Sequence, residues 1–158
     1  MKRLTIFLTA LALGFGCHAD NTLPPADHRE VVFVCEHGSA KSVIAAAYFN
    51  KLAGERGLAL RAVSRGIQPD AELQPATQQG LRRDGMPDPQ YRAAPLTEAL
   101  ASQALRVVTI GIESKPDYLS RAARLEWNDV PPVGKDYEAA RADMVRKIET
   151  LIGELAPR

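Results

Sequence analysis

Residues 31 to 34 read Val, Val, Phe, Val, apolar at every position rather than at every second one. Such a run predicts a short strand buried on both faces, as in a parallel sheet, with the fold beginning at Glu30. From Ser42 to Leu52 the period lengthens: Val43, Ala46 and Ala47, with Tyr48 at the margin, share one side of a helix that Gly54 and Gly57 close. Leu58 to Ser64 alternates apolar and polar residues and predicts a second strand. Gln74-Pro75 opens a helix to Asp84, because proline fits the first turn and Gly85 supplies a C-terminal cap. Thr97-Glu98 starts another short helix, and Leu105 to Ile112, LRVVTIGI, carries the strongest strand signal of the chain. Pro116 to Ala123 predicts one or two helical turns, and Arg124 to Trp127 a last short strand. Tyr137 to Leu155 is the clearest amphipathic helix: Ala140, Met144, Ile148, Leu151, Ile152 and Leu155 fall near one stripe, and Glu138, Arg141, Lys147 and Glu149 form a solvated face.

Strand, loop and helix alternate throughout, which predicts one α/β domain: a parallel sheet covered by helices on both faces, a three-layer sandwich. Ligands of such sheets bind beyond the carboxyl ends of the strands. Cys35 stands at the end of the first strand, where that rule puts a site.

Composition adds the frame around this domain. The chain has 158 residues with 20 Lys and Arg against 19 Asp and Glu, so no basic footprint for nucleic acid stands out. Met1-Lys2-Arg3, the apolar run from Leu4 to Phe15 and the small residues before Asp20 predict a signal peptide over residues 1–19 and export to a bacterial periplasm. The run is too short for a membrane span, which needs about 20 apolar residues. Leu13 to Cys17 loosely resembles a bacterial lipoprotein box, so lipid attachment at Cys17 is the alternative to simple cleavage. Residues 20–28, with Pro24-Pro25 and no periodicity, read as a linker, and the domain spans residues 29–158. Simple cleavage leaves Cys35 as the one cysteine, so no disulfide framework can form.

The chemistry concentrates in residues 30 to 42, EVVFVCEHGSAKS. A short loop between strand and helix turns its backbone N–H groups inward, where they bind a tetrahedral anion and stabilise a thiolate beside it. Cys35 is therefore a candidate nucleophile. His37 adjoins it, but His28, His37 and Cys35 lack the spacing of metal ligands, so no metal and no cofactor is expected. Lining an anion site is the plainer role for His37. Tyr91, Tyr118 and Tyr137 are candidates for an aromatic wall, or for ordinary packing with one end wet. Arg82 and Arg83 belong on the exposed side of their helix.

Residues 30 to 155 resemble the low-molecular-weight protein tyrosine phosphatases and the related arsenate reductases. The segments that carry the resemblance are VVFVCEHGSAKSVIAAAYF, AVSRGIQPDAELQPATQQGLRRDGM and APLTEALASQALRVVTIGIE. The resemblance implies a four-stranded parallel sheet and a cysteine that takes up phosphate as a phosphocysteine. It implies Cys35 as nucleophile, Ser42 as the hydroxyl that stabilises the thiolate, and the loop of Glu36, His37, Gly38, Ser39 and Ala40 as the backbone that holds the oxyanion. Lys41 takes the place of the family's arginine, exchanging a planar fork for a flexible point charge. The family's Gly-Asn pair is here His37-Gly38, and Ala40 stands where many members carry a second cysteine. The family's late Asp-Pro pair becomes Trp127-Asn128-Asp129-Val130-Pro131-Pro132, with Asp129 as candidate general acid and Asp136 as the weaker one, better suited to capping the final helix.

The function expected on this resemblance is an exported cysteine-dependent phosphatase acting on a phosphorylated protein, as phosphotyrosine, or on a small phosphomonoester. Arsenate reduction with an external thiol and non-catalytic oxyanion binding are the alternatives.

Overall fold

A computed structural model describes residues 29–156 apart from Asp88 and Ser114. The signal and linker segments expected over residues 1–28, Cys17 among them, lie outside the described residues. Four strands, β1 (Arg29–Cys35), β2 (Leu60–Gly66), β3 (Arg106–Ile110) and β4 (Arg124–Trp127), form one parallel sheet in the order β2-β1-β3-β4. Four α-helices connect and cover them: α1 (Lys41–Glu55), α2 (Pro75–Arg83), α3 (Glu98–Gln103) and α4 (Tyr137–Leu155), with a 3-10 helix over Asp117–Arg121.

The apolar run of β1 is divided between two cores by the alternation of a strand. Val31, Phe33 and Cys35 face a larger core with α1 and α4, while Val32 and Val34 face a smaller one with Leu96, Ala101 of α3 and Leu119 of the 3-10 helix. Phe33 anchors the larger core between the rings of Phe49 and Trp127, with centroids 5.8 and 5.5 Å away. This central position accounts for the four consecutive apolar residues from Val31 to Val34, all fully buried.

Element boundaries differ from the sequence expectation by a few residues. The first helix runs on to Glu55 because Gly54 is helical, and the turn falls at Gly57, whose φ is +66°. β3 stops at Ile110 rather than Ile112 because Gly111 adopts φ +59°, outside the strand region. α1 is buried around most of its first half, since it lies between the sheet and α4 rather than on an open face. The stripe predicted for α4 is the buried one, and Asp136 caps this helix by accepting from the Ala139 amide at 2.9 Å.

Candidate active site

The register β1 to β2 pairs Cys35 with Gly66, and beyond this pair the loop from Glu36 to Ala40 crosses the end of the sheet. Its conformation follows from two glycines. Gly38 has φ +62°, and a Cβ there would lie 2.8 Å from the Gly66 nitrogen and 2.9 Å from the Gly66 Cα. Backbone touches backbone at this point, so neither residue has room for a side chain. Gly66 is itself held, its N–H donating to the Ala94 carbonyl and its carbonyl accepting from Leu96.

The segment after β2 then draws the loop carbonyls outward. The carbonyls of Cys35, Glu36, His37 and Ser39 accept from the amides of Ile67, Gln68, Asp70 and Gln74 at 3.2, 2.9, 2.9 and 3.2 Å. The Ala40 carbonyl accepts from Val43 and Ile44 at the start of α1. A peptide whose carbonyl points out points its N–H the other way, so the amides are left for a ligand. No described residue gives the amides of His37, Gly38, Ser39 or Ala40 a backbone acceptor. Ala40 is also the N-cap of α1 and makes no side-chain cap, which leaves first-turn amides open to an anion.

Cys35 ends β1 with its side chain buried, and its Sγ lies 3.2 Å from the Ser42 Oγ. The sulfur opens into a cleft of about 240 Å³ lined by Cys35, Glu36, His37, Ala40, Lys41 and Gln74 on one side. The other side is Ile110, Gly111, Pro132, Val133 and Gly134. The volume suits a phosphoryl-sized anion with a small group attached. Gly38, Ser39 and Ser42 stand behind this lining: Ser39 is buried and donates to Asp70 Oδ2 at 2.6 Å, and Ser42 acts on the sulfur.

Lys41 is the first residue of α1 and its side chain enters the cleft. Its Nζ donates to the Val130 carbonyl at 2.8 Å, which ties the helix start to the loop after β4. Burial pulls the ammonium below its ordinary range, partly opposed by the negative charge of Cys35. Gly111 leaves the room for it, since a Cβ there would come within 3.3 Å of Nζ.

Asp129 is placed elsewhere than its expected role requires. Its side chain is 75% exposed, is absent from the cleft, and accepts from Lys147 of α4 at 3.0 Å. The Lys147 hydrogen bond holds its carboxyl below the usual range. Pro132, Val133 and Gly134 of the same loop face the nucleophile instead.

The tyrosines also divide. Tyr137 is buried and donates to Asp84 Oδ2 at 2.6 Å, an oxygen shared with the Tyr48 hydroxyl at 2.6 Å, so it joins α1, α2 and α4 rather than walling a pocket. Burial, then this hydrogen bond, pushes the Tyr137 phenol far above its ordinary range. Burial raises the Asp84 carboxyl, but the two hydroxyls and Arg141 more than offset it, and the net shift is downward. Tyr118 donates to the Leu96 carbonyl beside the smaller core, and Tyr91 donates to the Asp70 carbonyl at 2.6 Å, outside the cleft lining. Arg82 and Arg83 are exposed, with Arg83 over the Tyr137 ring. Among the described residues no group of three or more His, Cys, Asp or Glu is placed to hold a metal.

Comparison with known proteins agrees with this architecture. YfkJ from Bacillus subtilis superposes with a TM-score of 0.70 at 21% identity, covering 83% of this chain and 96% of its own. An arsenate reductase in a phosphate-binding state gives 0.69 at 19% identity, covering 81% and 99%. A low-molecular-weight protein tyrosine phosphatase from T. tengcongensis gives 0.66 at 20% identity, covering 79% and 98%. No curated protein sequence matches the chain significantly. The family model for low molecular weight phosphotyrosine protein phosphatase matches residues 30–127, which take in the strand, loop and helix around Cys35 and end just before the loop that carries Asp129. With most of its length inside that match, this chain belongs to the low molecular weight phosphotyrosine protein phosphatase family.

Proposed function

We propose that this protein is a cysteine-dependent phosphatase that hydrolyses phosphotyrosine or a small phosphomonoester through a phosphocysteine. The observation that carries the reading is the outward pull on the carbonyls of Cys35, Glu36, His37 and Ser39, which leaves inward amides around a sulfur that Ser42 touches at 3.2 Å. Cys35 attacks phosphorus; the loop amides and Lys41 hold the equatorial oxygens. Water then cleaves the S–P bond. Lysine supplies charge without the bidentate fork, and loss of one well-placed oxyanion donor costs about 10² to 10³ in turnover, which describes a slow enzyme. Purified protein should release p-nitrophenol from p-nitrophenyl phosphate, Cys35→Ser should abolish release while retaining phosphate, and Lys41→Arg should raise turnover. If neither wild type nor Lys41→Arg exceeds Cys35→Ser, the chain is an oxyanion binder and the catalytic reading fails.

Arsenate reduction is a second reading, favoured by the shape that arsenate shares with phosphate and by the arsenate reductase among the structural relatives. Cys35 is the free cysteine of the described residues, so an external thiol would have to resolve the arsenic adduct. Arsenite formation from arsenate plus glutathione distinguishes the two.

The site is proposed to work after export, with support from Lys2-Arg3, the Leu4 to Phe15 run and Ala19. Expression with the native N-terminus should give a periplasmic product beginning at Asp20. A cytoplasmic uncut chain would refute export, and a membrane-bound product beginning at Cys17 would assign it to lipid attachment.

A further inference from the structure

Displacement of an alkoxide or phenoxide from phosphorus needs a proton donor, and Asp129 is three-quarters exposed and paired with Lys147 outside the cleft. The titratable side chains that line the cleft are Cys35, Glu36, His37 and Lys41. Cys35 is the nucleophile and Lys41, tied to the Val130 carbonyl, belongs with the oxyanion. Among the described residues the Glu36 carboxylate has no side-chain hydrogen bond or ion pair. His37 is different. Its Nδ1 lies 3.4 Å from Asp70 Oδ1, and its carbonyl accepts from the Asp70 amide at 2.9 Å.

Asp70 is in turn fixed from two further sides. Ser39 donates to its other carboxylate oxygen at 2.6 Å, and Tyr91 donates to its carbonyl at 2.6 Å. The His37 carbonyl is thus bonded to, and its ring set beside, one residue that Ser39 and Tyr91 also bond. A carboxylate against Nδ1 orients an imidazole and compensates its charge when protonated, leaving Nε2 as the nitrogen free for a second partner. The His37 side chain is 55% exposed, which lets it exchange protons with solvent between turnovers.

We propose that His37 is the proton donor of this site and Asp70 its positioning residue, an inference that rests on the phosphatase reading above. As the Cys35 sulfur forms its bond to phosphorus, the phosphorus–oxygen bond of the ester breaks and the departing oxygen takes the proton from Nε2 of the His37 imidazolium. The neutral imidazole then takes a proton from the water that attacks the phosphocysteine. The S–P bond breaks, the thiolate is restored, inorganic phosphate leaves, and His37 is again an imidazolium.

A general acid matters more as the leaving group becomes more basic, so the test is a substrate series. With p-nitrophenyl phosphate, whose phenoxide leaves readily, His37→Asn should lose at most about tenfold in kcat/KM, which reads cleavage of the ester and not the later hydrolysis of the phosphocysteine, whereas with phenyl phosphate the loss should reach about 10² to 10⁴. Asp70→Asn should show the same trend with smaller amplitude. Protection of Cys35 from iodoacetate by inorganic phosphate should survive in both variants, which separates a proton-transfer defect from a collapsed loop. An equal loss across the series in His37→Asn overturns the assignment, as does a leaving-group-dependent loss in Asp129→Asn. Turnover of either ester that Cys35→Ser does not abolish, or no turnover in either wild type or Lys41→Arg, instead overturns the phosphatase reading and this inference with it.

Discussion

Gly38→Ala isolates how the anion loop is built, because the same backbone conformation occurs at two other glycines in open surroundings. Gly38, Gly57 and Gly85 have φ of +62°, +66° and +67°. Alanine in that region costs roughly 1 to 2 kcal/mol at each site. At Gly57 and Gly85 nothing lies within 4 Å of the added Cβ, so that backbone term is the whole effect. At Gly38 the methyl would stand 2.8 Å from the Gly66 nitrogen, 2.9 Å from its Cα and 3.1 Å from the Arg65 carbonyl carbon. All three are backbone atoms of β2, and Gly66 is further held by Ala94 and Leu96, so the strain falls on the loop. Overpacking of this kind adds about 1 to 3 kcal/mol. Gly38→Ala should therefore cost about 2 to 5 kcal/mol against about 1 to 2 for Gly85→Ala, read as a shift of urea midpoint at constant m. The loop must also rotate, so phosphate should no longer protect Cys35 from iodoacetate in Gly38→Ala, while protection stays intact in Gly57→Ala and Gly85→Ala. Equal stability losses at Gly38 and Gly85, or retained protection in Gly38→Ala, would refute the close approach of Gly38 to Gly66.

Two further predictions concern the scaffold beneath the site. Gly80→Ala sets helix propensity against packing: alanine favours the helix by about 1 kcal/mol, but its Cβ would sit 2.1 Å from Tyr137 Cε2. Displacing that ring and its bond to a charged carboxylate outweighs the gain, so a net loss of about 2 to 4 kcal/mol is expected, turning into a small gain in a Tyr137→Ala background. A double-mutant cycle by urea unfolding reads the change of sign directly. For Asp84, whose carboxyl is held below its ordinary range, the contribution to stability is present above the unfolded-state value and disappears as pH falls through the folded-state value. Asp84→Asn should cost about 1 to 3 kcal/mol at pH 7, and the gap to wild type should narrow as the pH is taken below about 4. A gap that stays constant in thermal unfolding over that range would place the charge of Asp84 outside the network.

The elements legible in the sequence are those set by near neighbours. Val31 to Val34, the stripe from Ala140 to Leu155, the proline opening α2 and the glycine after it carry their signals within a few residues, and the structure has them where the pattern put them, within a turn. Cys35 and its loop were equally plain, because strand, loop and helix follow one another without a break. What stayed hidden depends on residues far apart in the chain. Asp129 reads as an acid beside the cleft, and its pairing with Lys147, on the following helix, is not legible at that distance along the chain. Tyr137 offered a pocket wall, but Gly80 opens a slot in α2 that draws it into the core. Asp70 carries no sequence signal, since it sits in an irregular stretch and its value lies in one backbone bond to His37 and a side chain reached by Ser39. Gly111 showed only as part of a strand; its role is to clear space for the Lys41 ammonium.

The meeting of Gly38 with Gly66 bears on how such a site can be transplanted or inherited. The stretch from Cys35 to Ser42 looks like a self-sufficient cassette, yet its shape is imposed by residues 66–74, which fill the space beneath it and hold its carbonyls. Moved alone onto another strand-loop-helix scaffold, it would relax and turn those carbonyls back toward the anion. The unit that travels is therefore discontinuous, two segments from the ends of adjacent strands, and a change at Gly66 or Asp70 edits the cradle as surely as a change beside the nucleophile.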